Sequence, residues 1–556
     1  MPGALAETTT AEDESAPLPQ PGAWPSATAG FPVQPEDGDS PTLNSVIDAA
    51  ALVAPSIPCV DCGNSMSAAA RYCHRCGLRR RGPVWRPSFG IPGYELTAQR
   101  TLSDSQIRVI LGGLLIVGAS LLLASLPTLV AAIGLATLLY LATLGYRLLT
   151  FRAALGDSET VVVDDNEARA FPVLQLPTYT VLVPAYHEPE VIASLLRSLN
   201  RLDYPTHLLD IKLLLEADDP DTLAAVQEAR PQSNIEVLRV LPSEPRTKPK
   251  ACNVGLARAR GTFVTIYDAE DQPDPLQLRR AAVAFSKLPR EVACLQAKLS
   301  YHNAEQNLLT RRFTAEYALW FGHLLPGLVK LGAPVPLGGT SNHFRRKTLV
   351  RVGGWDPFNV TEDADLGVRL HRLGFRTRVL DSITLEEANS DFVNWTKQRS
   401  RWYKGYMQTW LVHMRHPRKL WHQLGPKGFV GFNLFVGGTP MLALLNPVFW
   451  ALTVAWFLGK SSIIVALFPA WLYYASLASL ALGNFTYLYT AVVGARAAGM
   501  PSLALAALLS PAYWVMMSIA AIKAAVQLLA EPTFWEKTAH GLDRVVTTPD
   551  TDHVAA

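Results

Sequence analysis

Acidic residues gather where apolar runs stop. The run Phe263-Val-Thr-Ile266 leads into Asp268-Ala-Glu270-Asp271, with Asp274 close behind, so four acids fall within seven residues. Ile211-Lys-Leu-Leu-Leu215 ends in Glu216-Ala-Asp218-Asp219, and Tyr179-Thr-Val-Leu-Val183 ends in Pro184-Ala-Tyr186-His-Glu188. Carboxylates grouped in this way can hold a hard cation such as Mg2+ or Mn2+ through oxygen, or accept a proton. One such cluster is ordinarily a solvated turn that caps the next helix, but three in succession ask for a common cause. A further pair, Glu362-Asp363, precedes Leu366, Leu370 and Leu373 at helical spacing. Asp363 therefore falls in a first helical turn, where the dipole favours the ionised carboxylate that a general base must be. Cationic and polar groups accompany the acids: Lys248, Lys250 and Asn253 in a segment read as a loop, and Gln398-Arg-Ser-Arg401-Trp402.

The elements that must position these groups follow from the alternation of pattern. Strand-like runs at 179–183, 211–215, 235–238 and 263–266 alternate with helical stretches, which predicts an α/β domain with a mostly parallel, Rossmann-like sheet. In such sheets ligands sit beyond the carboxyl ends of the strands. The acids stand at those ends.

Taken in order, "VLVPAYHEPE", "EADD", "DAED", "TED" at 361–363 and "QRSRW" at 398–402 resemble the motifs of family 2 glycosyltransferases, membrane-embedded processive members such as bacterial cellulose synthase above all. The resemblance covers roughly residues 178–410. It implies a GT-A-like cytosolic domain flanked by transmembrane helices, and an inverting, metal-dependent hexosyltransferase that takes a sugar from a nucleotide-sugar donor, a UDP-sugar by analogy. It further implies Mg2+ or Mn2+ held by Asp268 with Glu270 or Asp271, and donor contacts from Tyr186, Glu188, Asp218, Asp219, Lys248, Lys250, Asn253, Asp268 and Arg401. Asp363, with Glu362 beside it, would be the base, and Gln398, Trp402, Gly339 and Thr340 would meet the acceptor. Glu270 stands where the family has its second Asp, which leaves open whether Glu270 or Asp271 completes the metal site. The acceptor implied is a growing polysaccharide, with export and an accessory subunit as corollaries. A one-step transfer to a membrane lipid is the alternative among enzymes, and a transporter or receptor that binds the donor without turnover is the rival from another class.

The composition agrees with a membrane protein. Across 556 residues, 49% are hydrophobic and mean hydropathy is +0.15, too apolar for an ordinary soluble enzyme, while a net charge of +3 gives no field for nucleic acid. No charge occurs between Arg108 and Arg147, a stretch nearly twice the ~20 residues one membrane helix needs. Residues 107–150 thus read as a transmembrane hairpin broken near Pro127, with arginines at both ends pointing to the cytosol. Residues 411–427 read as an interfacial segment and 428–530 as three or four further spans, interrupted only by Lys460, Arg496 and Lys523. The expected α/β domain occupies 175–410, and 531–556 form a C-terminal tail.

Before the hairpin, residues 1–58 lack Lys and Arg, are rich in Pro, Ala and acids, and are expected to be disordered. The pairs Cys59/Cys62 and Cys73/Cys76 have the spacing of one tetrahedral zinc site, so 59–77 read as a zinc ribbon with structural Zn2+, His74 being the alternative ligand. A protein partner for that ribbon is one expectation, and 78–106 form a basic linker. The opening residues show no secretory signal pattern, which places the N-terminus and the α/β domain in the cytosol of a multi-pass inner-membrane protein.

Overall fold

A computed structural model describes residues 96–156, 159–459 and 462–537, together with the backbone of four short strands that precede them. Those strands form two antiparallel pairs, β1 (Ser56–Pro58) with β2 (Ser65–Ser67) and β3 (Leu78–Arg81) with β4 (Val84–Pro87). The strand at 56–58 trims the expected disordered segment. Cys59, Cys62, Cys73, Cys76 and His74, and the tail past Lys537, lie outside the described residues. Further on, the segment read as a basic linker docks on the α/β domain through Asp356, which accepts the Ala98 N–H at 2.6 Å and the Thr97 hydroxyl at 2.9 Å.

Two helices follow, α1 (Asp104–Leu123) and α2 (Ser125–Ala154), separated at Ala124, three residues before Pro127. The cap of α1 is a reciprocal Ser103–Gln106 box, so this helix starts where its sequence says it should. Neither helix has a polar face; α1 buries no residue, and α2 packs on the α/β core only at its end, through Thr150 and Phe151.

The α/β domain is built on a nine-stranded sheet in the order β10-β13-β11-β12-β9-β6-β7-β8, with β5 (Thr160–Val161) pairing β13. Its parallel centre joins β6 (Tyr179–Ala185) to β7 (Leu209–Glu216) and β9 (Phe263–Ile266), and β8 (Ile235–Val240) lies outside β7. These strands are mostly apolar because helices cover both faces; β7 is buried at every position, Asp210 and Lys212 included. Only β8, at the edge, alternates between buried and exposed residues. The far half holds β10 (Gln272–Pro273), β11 (Val292–Tyr301), β12 (Asn342–Arg345) and β13 (Arg376–Glu386), with β12 antiparallel to both neighbours.

Four helices of this domain bear on the cleft: α3 (Lys248–Arg258), α4 (Leu308–Leu319), α5 (Glu362–Arg372) and α6 (Phe392–His413). The first corrects an expectation, since Lys248 and Lys250 begin a helix and do not lie in a loop. Pro249 in the first turn, with its fixed backbone angle and missing donor, suits a helix start. Gly367 in α5 lets the helix lie against the Val335 carbonyl, where any side chain would collide.

After α6 the chain passes through Pro417–Phe432, kinked at Gly425 with φ of 67°, and a π turn into α7 (Gly438–Gly459). Two more long helices follow, α8 (Ala470–Ala497) and α9 (Ser510–Ala530). Among the described residues five helices are long and apolar enough to cross a membrane: α1, α2, the run 417–459, α8 and α9. Helix α8 packs on α4, with Gly494 against Leu319, and α9 packs on α6. Tyr513 of α9 meets Trp395 and Arg399 at the start of α6, while Pro532 and Phe534, just past α9, accept hydrogen bonds from Gln408 and Lys404 farther along α6. So α9 runs beside a helix of the α/β domain for its whole length. The chain then doubles back along α6 to Lys537, which reaches the carbonyls of Tyr186 and His187.

Candidate active site

The acids at the strand ends do converge. A cavity of about 710 Å³ opens beyond β6, β7 and β9; its wall includes Tyr186, Glu188, Glu216, Lys248, Asp268 and Glu270. Gly339, Glu362, Asp363, Gln398, Arg401 and Trp402 complete that end of it. These residues come from seven separate stretches of chain; the parallel sheet brings the first four together because the loops after β6, β7, β8 and β9 leave their strands in the same direction.

The other expected site residues do not line the cavity. Asp219 is fully buried and accepts the N–H of His187 at 2.5 Å and of Thr222 at 3.2 Å. It thereby holds the Tyr186–Glu188 turn, in which His187 has a φ of 53°, and does not face the cavity. Asp218 pairs with Arg246 at 2.6 Å, and Arg246 reaches the Tyr186 hydroxyl at 3.4 Å. Lys250 is buried against Glu216 at 2.8 Å, so Glu216 reaches the cavity wall where Lys250 does not. Asn253 clamps the main chain of Trp355, donating at 2.7 Å and accepting at 3.0 Å. Thr340 donates to the Ile266 carbonyl at 3.1 Å and to the carboxylate of Asp271.

Asp271 is 1% exposed, takes the N–H of Asp268 at 2.8 Å, and leaves Oδ1 buried with no hydrogen-bond partner. Glu270 lines the cavity; Asp271 lies beneath it. Burial, together with the charges of Asp268 and Glu270, drives the Asp271 carboxyl well above its usual range, and Glu386 is raised by burial and by the same three acids. Such crowded negative charge is what a divalent cation relieves. Two oxygen donors, Asp268 and Glu270, fit Mg2+ or Mn2+, which fill their remaining positions with phosphate and water. Among the described residues no trio of His, Cys, Asp and Glu is arranged to hold a metal unaided.

Lys248 joins the two halves of the site. Its ammonium pairs with Asp268 and donates to the Gly339 carbonyl at 2.8 Å. Although burial opposes it, the field of Asp268 and Glu362 holds this lysine charged far above its ordinary value. Gly339 in turn faces the acid of α5: a methyl group there would stand 3.4 Å from Asp363 Oδ2. Burial lifts the Asp363 carboxyl to about 6, against the opposing N–H of Ala364 and the charge of Lys248, and it lifts Glu362 further, with Asp363 as the second cause. The helix that carries Asp363 is fixed from below. Arg372 donates to Nδ1 of His413 at 2.7 Å, so Nε2 carries the proton and donates to Asp365 at 2.8 Å, while Arg369 donates to the other Asp365 oxygen at 2.6 Å.

Residues past the α/β domain also reach the cleft, and pattern reading alone does not single them out. Arg401 stacks on Trp535 at 4.8 Å, and Lys537 stands 3.6 Å from Glu188. Both Trp535 and Lys537 line the cavity. They lie about 130 residues or more from their partners in sequence, in a stretch with no period of its own. The cavity then continues between α2, α7 and α8, where Tyr140, Trp450 and Tyr473 are among its lining residues.

Residues 177–405 match the family model described as glycosyltransferase like family 2. The chain is 27% identical over 234 residues to "Probable glycosyltransferase YdaM" of Bacillus subtilis, an alignment of 42% of this chain and 56% of that one. It is 28% identical over 261 residues to "Beta-monoglucosyldiacylglycerol synthase" of Trichormus variabilis, covering 45% and 54%. The chain thus spans about half the length of the curated relatives it matches. Among solved structures, a mannosyltransferase of Pyrobaculum calidifontis, in complex with GDP-Man and Mn2+, aligns with a TM-score of 0.47 at 21% identity over 69% of this chain and 98% of that one.

Proposed function

We propose, starting from the glycosyltransferase-like family 2 domain at residues 177–405, that the protein is an inverting hexosyltransferase moving a sugar from a nucleotide donor to an acceptor presented from the membrane. The observation that carries this reading is the single cavity that begins at Asp268, Glu270 and Asp363 and runs on between membrane helices α2, α7 and α8. A soluble acceptor that is not passed across the membrane has no use for that extension. A lipid does, and the relatives that carry the name of a glucosyldiacylglycerol synthase point the same way.

In this reading Tyr186 and Glu188 face the nucleotide, while Lys248 and Arg401 meet the diphosphate. Asp268 and Glu270 would hold the divalent cation, which supplies positive charge to the departing diphosphate. Asp363 takes the proton of the acceptor hydroxyl as its oxygen attacks the anomeric carbon from the side opposite the leaving group. Glu362, raised beside it, keeps its proton more readily and so spares Asp363 a second adjacent charge. Trp402 and Gln398 offer an aromatic face and an amide to the acceptor.

The membrane arrangement we propose has four crossings: α1, α2, the run through α7, and α8. Helix α9 lies in the plane of the interface, since it runs beside α6 and since residues 531–537 come back to the cleft. Four crossings return the chain to the side of the α/β domain, whereas five would not. The paired CxxC turns at Cys59, Cys62, Cys73 and Cys76 support one structural zinc on spacing alone.

Purified full-length protein, given a panel of nucleotide sugars with Mg2+ or Mn2+ and membrane lipid, should release the nucleoside diphosphate and leave the sugar in a solvent-extractable product. Binding of donor without release, unchanged in Asp363→Asn, would contradict the assignment. The Gln398-Arg-Ser-Arg401-Trp402 signature on the cavity wall keeps polymer synthesis as the second reading. High-mass aqueous product would favour it.

A further inference from the structure

Three further arginines line the cavity, and the donor reaction does not use them. Arg312 of α4 is 5% exposed, stacks over the Tyr513 ring at 4.6 Å, and leaves Nε and Nη1 with no hydrogen-bond partner among the described residues. Arg399 of α6, 7% exposed, meets Glu316 through two bonds of 2.9 Å, with Nε again unpartnered. Arg147 of α2 donates to the Tyr487 hydroxyl at 2.9 Å, and its Nε is unpartnered too. The three line one cavity, and Tyr513 joins two of them, lying beneath Arg312 and accepting a hydrogen bond from Arg399 at 3.0 Å. Glu316 is the carboxylate set among them.

Guanidinium groups taken from water with N–H donors unmade are costly unless an anion joins them. A phosphate oxygen set is the partner their planar fork suits best. The donor diphosphate already has Lys248 and Arg401 beside Asp268, so this second cationic patch serves another anion. Its depth indicates which. Arg147 lies seven residues before the end of α2, about 10 Å along the axis at 1.5 Å per residue. That is the level of lipid headgroups beside a domain packed on the end of the helix.

We infer that the acceptor is an anionic lipid bearing both a phosphate and a free hydroxyl, with the phosphate held by Arg147, Arg312 and Arg399. The inference rests on the transferase reading above. The hydroxyl is required because Asp363 is a base, and a base needs a proton to remove. Asp363 lines the same cavity as Arg147, Arg312 and Arg399, so the two ends of one headgroup address two parts of one space. In the step, the lipid hydroxyl oxygen forms its bond to the anomeric carbon. The bond from that carbon to the diphosphate oxygen breaks, its electron pair leaves with the nucleoside diphosphate, and the hydroxyl proton passes to Asp363.

The test uses full-length protein in mixed micelles with labelled nucleotide sugar and three lipids. Phosphatidylglycerol has phosphate and hydroxyl, diacylglycerol has hydroxyl alone, and phosphatidic acid has phosphate without a free alcohol. Label should enter phosphatidylglycerol with kcat/KM at least tenfold above diacylglycerol, and phosphatidic acid should compete. Arg312→Gln and Arg147→Gln should raise KM for phosphatidylglycerol about tenfold while the donor KM stays within twofold, with partial recovery in Arg312→Lys. Equal or better use of diacylglycerol, label only in aqueous polymer, or an unchanged lipid KM in both variants would overturn the inference while leaving the transferase reading intact. The wild-type lipid comparison decides the matter even if a variant fails to fold. Absence of nucleoside diphosphate release with every donor and acceptor would instead remove the transferase reading itself.

Discussion

Lys248 and Asp268 form an ion pair at the centre of the cleft, one from the first turn of α3 and the other from the loop after β9. A cation entering beside Asp268 competes with that ammonium, and a diphosphate gives the ammonium a new partner. Metal and donor should therefore bind together. Titration calorimetry should show weak Mg2+ or Mn2+ binding to the protein alone and strong binding once nucleotide is present. Asp268→Asn should abolish that coupling and lower turnover at least ~100-fold, as expected for lost electrostatic stabilisation. Full metal-dependent donor binding in this variant would remove Asp268 from the site.

The acid of α5 sets the pH response. A base works only when ionised, and burial raises Asp363 to about 6. Protonation below that value removes the base, so kcat/KM should climb as pH rises from 5 to 7 and level above it. Asp363→Asn should lose ~10²–10⁴-fold in rate, the usual worth of general-base catalysis, and the acid limb with it. A limb that persists in the variant belongs to another group.

Beneath Asp363, the Asp365–Arg369–His413 network ties α5 to α6 with every member at most 2% exposed. Asp365→Asn leaves the buried Arg369 guanidinium without its charge partner. Breaking such a pair costs about 3–5 kcal/mol. Thermal unfolding in detergent should show a marked fall in Tm, while the metal-dependent part of donor binding in the remaining folded protein is unchanged. A Tm equal to wild type would mean that the network is not what fastens the helix.

The four-crossing arrangement predicts sidedness. Ile463→Cys, between α7 and α8, should react with a membrane-impermeant maleimide in intact cells, and Leu505→Cys, between α8 and α9, only after permeabilisation. Cys252 and Cys294 are buried and add little background. Reaction of Leu505→Cys in intact cells would mean that α8 does not return the chain to the side of the α/β domain.

Much of the site was legible beforehand because parallel α/β domains obey a strict rule: acids at the ends of β6, β7 and β9 must share one edge. Direction at that edge was not legible. After β9 leaves the sheet, its pleat no longer dictates which side a residue faces, so Glu270 and Asp271 were equivalent in sequence. The structure separates them because Thr340 draws Asp271 under the loop. Asp219 and Asn253 have the residue types of ligand contacts, but they spend their hydrogen bonds on the Tyr186–Glu188 turn and the Trp355 main chain.

By itself the sequence determined the class of the domain, the ordered motifs, and the apolar stretches able to cross a membrane, since each depends on local period and residue type. Tertiary structure decided the rest. Whether α9 crosses or lies flat depends on α6, more than a hundred residues earlier, because an apolar helix satisfies its own backbone in either place. That Arg147, Arg312 and Arg399 line one cavity required three helices to pack around it. No periodicity encodes such a contact, because it exists only once distant elements share a surface.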